Sequence, residues 1–131
     1  MERTIITINE SGNVNIPDGN VWMSEMELME LFGVIAPTLR AAIKAIYKSG
    51  TLNPATTQQG EAITSANWAT FYNLEVVISL AFRLNTYEAS RIRAKVLEGL
   101  YMRNNSEINM FITLKSERND KYYQSEQNNM Q

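Results

Sequence analysis

At 131 residues the chain is long enough for one domain that buries roughly two-thirds of its unfolded surface, so it needs no covalent staple. It holds no cysteine and no histidine, which excludes a disulfide framework, zinc fingers, thiol nucleophiles and Ser-His-Asp machinery. A formal charge of -2 with 44% hydrophobic residues describes a globular chain and disfavours a binder that is basic overall.

The first segment, Thr4-Ile5-Ile6-Thr7-Ile8, is β-branched throughout and predicts a strand. Glu10-Ser11-Gly12-Asn13 predicts a turn, and Val14-Asn15-Ile16 alternates and is expected to pair back. Pro17-Asp18-Gly19-Asn20 is a second turn, and Val21-Trp22-Met23 a third short strand. Ser24 and Glu27 fit the capping box of a first helix that carries Met26, Leu28, Met29, Leu31 and Phe32. Its periodicity places the methionines mostly in the core and leaves Glu25, Glu27 and Glu30 outside. Gly33 stands where a helix needs a left-handed residue.

Pro37 has its φ pre-set for a helical turn, and a second helix is expected from Thr38 to Ser49. Leu39, Ala42, Ile43, Ile46 and Tyr47 face inward on it, and Gly50 ends it. Thr51 to Gly60, which contains Pro54, reads as a loop. Glu61-Ala62-Ile63-Thr64 and Trp68-Ala69-Thr70-Phe71-Tyr72 predict a hairpin turning at Ser65-Ala66-Asn67. Asn73 is placed to cap a central helix from Leu74 to Leu84. A fourth helix, Tyr87 to Arg103, should set Ile92, Val96, Leu97, Leu100 and Tyr101 inward. A last amphipathic element is expected between Glu107 and Tyr122, followed by a polar tail, 124–131, that frays.

The expected fold is therefore α+β. A small N-terminal antiparallel sheet leads into a winged-helix-like helix-turn-helix with its hairpin, and further helices pack behind. Such a unit presents its second helix to the DNA major groove. Arg40, Lys44 and Lys48 recur at i, i+4, i+8 on that helix, which puts three cations on one face. With Thr38 and Ala41 they form the candidate DNA-binding surface. Only Thr38 and Arg40 there offer polar groups to base edges, so contacts would fall mainly on phosphates. Arg91, Arg93 and Lys95, with Arg83 and Arg103 nearby, make a secondary basic patch, for which a solvated helical face is the plainer explanation. Trp68, with Phe71 and Tyr72, suits either a stacking surface for single-stranded nucleic acid or, more commonly, a sheet face packed on helices; Trp68 is expected to be partly exposed and Trp22 to lie in the core.

Catalysis is not expected. No GxGxxG, Walker A, HExxH or GxSxG motif occurs. Glu27 and Glu30 serve the start of a helix, and Asp18 serves a turn. No cofactor and no metal is implied. The longest apolar stretch, Val76 to Phe82, is interrupted by Ser79 and is far short of a membrane span. With no signal-peptide pattern at Met1-Glu2-Arg3-Thr4, a cytoplasmic protein without membrane partners is expected.

Val21-Trp22-Met23-Ser24, Leu28-Met29-Glu30-Leu31-Phe32-Gly33-Val34, Ile43-Lys44-Ala45-Ile46-Tyr47 and Gly50-Thr51-Leu52 resemble segments of the RhuM family of virulence-associated proteins. Phe71-Tyr72-Asn73-Leu74-Glu75-Val76-Val77-Ile78-Ser79, Arg83-Leu84-Asn85-Thr86 and Ile92-Arg93 continue the likeness, which spans about Val14 to Leu100. The chain departs from the family pattern at Ile35-Ala36-Pro37, where a polar start to the second helix is usual. The resemblance implies a bacterial DNA-binding helix-turn-helix encoded on mobile or accessory elements. It supplies no catalytic residues. The expected organisation is a RhuM-like winged-helix-type domain over 1–103, an amphipathic element over 104–123 that forms a homodimer, and the tail. The expected function is binding to double-stranded DNA, as a transcription-regulatory module. The alternative is a protein-protein interaction module that retains the fold without binding DNA.

Overall fold

The structure is a computed structural model and describes residues 2–102. The chain divides into two compact units, Met1–Lys95 and Val96–Gln131. Of the second, residues 96–102 are described and are helical. The expected dimerising element and the tail lie outside the described residues.

The first unit is mixed α/β with two small antiparallel sheets. Strands β1 (Thr7–Ile8) and β2 (Val14–Asn15) pair as Thr7↔Asn15 and Ile8↔Val14. Their turn is closed by Asn9, whose Oδ1 accepts from the backbone N–H groups of Ser11 and Asn13. The expected strand over Thr4–Ile8 is thus shorter than its composition suggests. Thr4 makes only an isolated parallel bridge to Val21. β propensity marks where a strand is tolerated, whereas its length is set by the partner available.

Strand β3 (Trp22–Ser24) does not join the N-terminal pair as a third ladder. It pairs with β5 (Trp68–Asn73), which in turn pairs with β4 (Gln58–Ala62), giving the order β3-β5-β4. Helices α1 (Glu25–Phe32), α2 (Ala36–Lys48) and α3 (Pro54–Thr57) lie in sequence between β3 and β4. Helix α4 (Leu74–Ala81) follows β5 directly, and residues 87–95 form α5.

Local chemistry explains where the helices begin and end. Ser24 accepts from the Glu27 N–H, and the Glu27 carboxylate accepts from the Ser24 N–H, a complete capping box. Gly33 adopts φ 65, and its N–H donates to the Met29 carbonyl. A side chain at Gly33 would be strained by that φ, and its Cβ would fall 2.9 Å from a Glu88 carboxylate oxygen. Asn73 caps α4 by accepting from the Val76 N–H. The stretch expected to be a loop, Thr51 to Gly60, instead contains α3, capped by Asn53, and the first residues of β4. Pro54 opens that short helix, since its fixed φ suits a first turn. α4 also ends at Ala81, three residues before the expected Leu84: a turn takes up the Leu80 carbonyl and Arg93 the Ala81 carbonyl.

The core joins Leu28 and Phe32 of α1, Leu39 of α2, Val76, Val77 and Leu80 of α4, and Ile92 of α5. Each is fully buried. Burial of one such side chain stabilises the fold by about 1.5–3 kcal/mol relative to exposure. Met26, placed in the core by its spacing, is instead 76% exposed. It lies one residue past the start of α1, whose buried residues are Leu28, Leu31 and Phe32. Trp22 is half-buried rather than in the core, because β3 is an edge of its sheet. Leu97, Leu100 and Tyr101, expected to face inward, are exposed. Helical period gives the side of the stripe but not how far along the helix a core extends.

Candidate nucleic-acid interface

Helix α2 is amphipathic in the strict sense. Leu39, Ala42, Ile43 and Ile46 are buried, whereas Thr38, Arg40, Ala41, Lys44 and Lys48 are all exposed. The step of about 100° per residue places Arg40, Lys44 and Lys48 in a sloping row, with Ala41 just beyond Lys48 and Thr38 on the far flank. All five expected residues are exposed, but only Arg40, Lys44 and Lys48, with Ala41 beside them, share one face, and Thr38 lies on the flank away from Arg40.

The row is not electrostatically uniform. Arg40 pairs with Glu25 at the start of α1: its Nε donates to Glu25 Oε1 at 2.8 Å, and NH2 lies 2.7 Å from the same oxygen. Lys44 and Lys48 form no ion pair with any other described residue. Lys48 also complements the negative C-terminal end of α2. Two cations are therefore available outright, and the third is held in an exposed pair that is worth about 0–1 kcal/mol and is easily exchanged.

β5 pairs with β3, which leads directly into α1 and Glu25, the partner of Arg40. Tyr72 of β5 is close enough to Tyr47, Glu25 and Arg40 to feel all three. Burial pushes the Tyr72 hydroxyl above its ordinary 10, with Tyr47 and Glu25 adding to the rise and Arg40 opposing it. Tyr47 is likewise raised by burial, against the lowering effect of its bond to Thr57. Both phenols stay neutral at physiological pH. Tyr47 Oη is 2.9 Å from Thr57 Oγ1, and that hydroxyl donates to the Asn53 carbonyl. This buried chain ties α2 to α3 and so to the start of β4.

The secondary basic group resolves differently. Arg91 donates from Nε to the Gly12 carbonyl at 2.9 Å, fastening α5 to the β1–β2 turn. Arg93 donates from NH1 to the carbonyls of Ala81 at 2.7 Å and Leu84 at 2.9 Å, closing the end of α4. Both are half-buried. Their i, i+2 spacing turns them to different neighbours, and of the described cations of the group Arg83 and Lys95 are exposed. These arginines hold backbone carbonyls in place, an assignment that spacing alone does not reveal.

Arg3, a residue that drew no attention in the sequence, performs similar work. Its NH1 bonds to the Trp22 carbonyl and to Glu27 Oε1, and its guanidinium lies 4.7 Å from the centre of the Phe71 ring. A cleft of about 450 Å³ opens between the β1–β2 hairpin, α1 and the start of α5. Its charged lining is Glu10, Glu27, Glu30 and Glu88, and no residue of α2 contributes. A polyanion is repelled there, so the cleft is separate from the candidate interface. No helix among the described residues is long and apolar enough to cross a membrane.

On the hairpin, Trp68 is 69% exposed. Its indole covers Gly60 so closely that a Cβ there would fall 2.2 Å from Trp68 Nε1. The sequence gives Trp68 as an aromatic at a strand end. Its seat on Gly60 depends on the register Gly60↔Thr70 and Ala62↔Trp68.

Comparison with protein-family models, with curated proteins and with solved structures finds no match to this chain.

Proposed function

We propose that the chain is a DNA-binding module of winged-helix type that contacts mainly the phosphate backbone. The observation that carries the reading is the exposed row Arg40–Lys44–Lys48 on the second helix of a helix pair, with a hairpin following. Strand order β3-β5-β4 supports it, because it joins that hairpin to β3, the strand that leads into the helix pair. The start of α2, with Ile35, Ala36 and Pro37, offers no bidentate hydrogen bonds, so sequence reading would be weak. The short segments that resemble the RhuM family point the same way, to a regulatory module of a mobile or accessory element. No enzymatic role is part of this proposal.

Titration of labelled random duplex at two salt concentrations tests it. Binding should weaken with salt, and the slope of log affinity against log salt should be shallower by about two in Arg40→Ala/Lys44→Ala. Absence of binding near about 50 mM salt, where such contacts are strongest, would overturn it.

Two observations favour a second reading, a protein-interaction module. Residues 1–66 carry four Lys/Arg against seven Asp/Glu, a net of -3, and Ile35 at the head of α2 is 67% exposed. An apolar residue at that position suits a protein partner better than a phosphate. The same titration separates the two.

A further inference from the structure

We infer that Trp68, seated on Gly60, is a stacking platform for an unpaired base, so that the preferred ligand is DNA with a single-stranded segment beside a duplex. The inference rests on the DNA-binding reading and specifies its ligand.

The argument begins with alternation along β5. Trp68, Thr70 and Tyr72 point to one face, whereas Ala69, Phe71 and Asn73 point to the other. Tyr72 pairs with Met23 of β3, two residues before Glu25, whose carboxylate holds Arg40, so the face that begins at Trp68 leads toward that ion pair at the edge of α2. The register gives the β4 partners on this face as Gln58, Gly60 and Ala62. None is charged. Glu61 is opposite Ala69 and so belongs to the other face. The platform is therefore aromatic and neutral, and its inner end approaches the Glu25–Arg40 pair.

Gly60 is the second component. Its φ is not in the left-handed region, so backbone strain does not require glycine there. The close approach of the indole does: Trp68 Nε1, Cε2 and Cζ2 would all lie within 2.9 Å of a Cβ. Glycine lets the indole rest on the strand backbone instead of rotating freely. A tryptophan whose ring is held against the sheet yet 69% exposed presents an ordered π surface to solvent. Ordering the ring beforehand removes part of the entropy cost of stacking a base on it.

The ligand follows from what the hairpin lacks. With no Lys or Arg between Gln58 and Asn73, it has no cation with which to grip a phosphate. Bases within an intact duplex are already stacked on each other and offer an outside ring no face. An unpaired base does, and stacking of this kind tolerates any sequence. The α2 row then holds the backbone while the hairpin holds a base.

The test compares blunt random duplex, the same duplex with an oligothymidylate overhang, and oligothymidylate alone. Wild type should bind the overhang form about tenfold more tightly than the blunt form, the gain expected from one stacked base. Trp68→Ala should abolish that preference and leave blunt-duplex binding unchanged. Gly60→Ala retains the indole but denies its seat, and should reduce the preference while circular dichroism stays native. In a Trp22→Phe background, emission from Trp68 should be quenched by the overhang DNA and not by the blunt duplex. Equal binding to the two forms by wild type, or a preference that survives Trp68→Ala, overturns this inference and leaves the duplex reading standing. Failure to bind any of the three DNAs overturns both.

Discussion

Glu25→Gln should tighten binding to random duplex DNA about threefold while slightly destabilising the fold. In the free protein Glu25 Oε1 lies 2.7 Å from Arg40 NH2, with the two side chains 32% and 67% exposed. A phosphate received on the open side of that guanidinium would stand roughly 6 Å from the same carboxylate, and at the dielectric of water their repulsion is about 0.7 kcal/mol. Removing it corresponds to a factor of about three in affinity. The same charge sits in the first turn of α1, where it favours the helix by about 0.3–1 kcal/mol. The variant should therefore gain affinity and lose stability, a pair of opposite signs that a general loosening of the protein does not produce. Fluorescence anisotropy with labelled duplex reads the first and urea denaturation the second. An affinity that is unchanged or weaker in Glu25→Gln, with the protein folded, would refute the placement of phosphate at Arg40.

Two further outcomes are expected. Burial raises the Glu27 carboxyl, but the Ser24 N–H and the Arg3 guanidinium outweigh it and hold the group below its ordinary 4.5. A carboxylate lowered on folding adds stability that is present above pH 4.5 and lost as pH falls through its folded value. Wild type should thus lose stability below that pH more steeply than Glu27→Gln, as urea midpoints across the acid range will show; parallel curves would remove Glu27 from the account. Arg93→Ala leaves the Ala81 and Leu84 carbonyls without their donor, which should cost about 1–3 kcal/mol and leave DNA affinity unchanged. A drop in affinity at constant stability would instead assign Arg93 to a phosphate-binding patch.

Features of short range were legible in the sequence. The Ser24/Glu27 capping box, the left-handed Gly33, Pro37 at the start of α2 and the Asn73 cap each involve groups within a few residues of one another. Their hydrogen bonds form wherever the helix forms, so the residue types suffice to place them. The exposed row Arg40, Lys44 and Lys48 was legible for the same reason: helical period fixes which residues share a face. The sheet was not. β3 was expected beside β1 and β2 because it follows them, yet it pairs with β5, some fifty residues later. Strand pairing is decided by which hydrophobic face covers which, and no local pattern encodes that.

The sequence by itself determined the caps of α1 and α4, the left-handed Gly33, the buried stripe of α2 and the cations beside it, because each is a matter of local geometry; it missed α3 and the end of α4. Tertiary structure alone decided what those cations do. It bound Arg40 to Glu25, turned Arg91 and Arg93 to the backbone carbonyls of Gly12, Ala81 and Leu84, and left Lys44 and Lys48 to solvent. It also laid Trp68 on Gly60 through a cross-strand register. The physical reason is the same in each case. A charge or an aromatic ring has its effect through the group it meets, and that group usually lies far away along the chain.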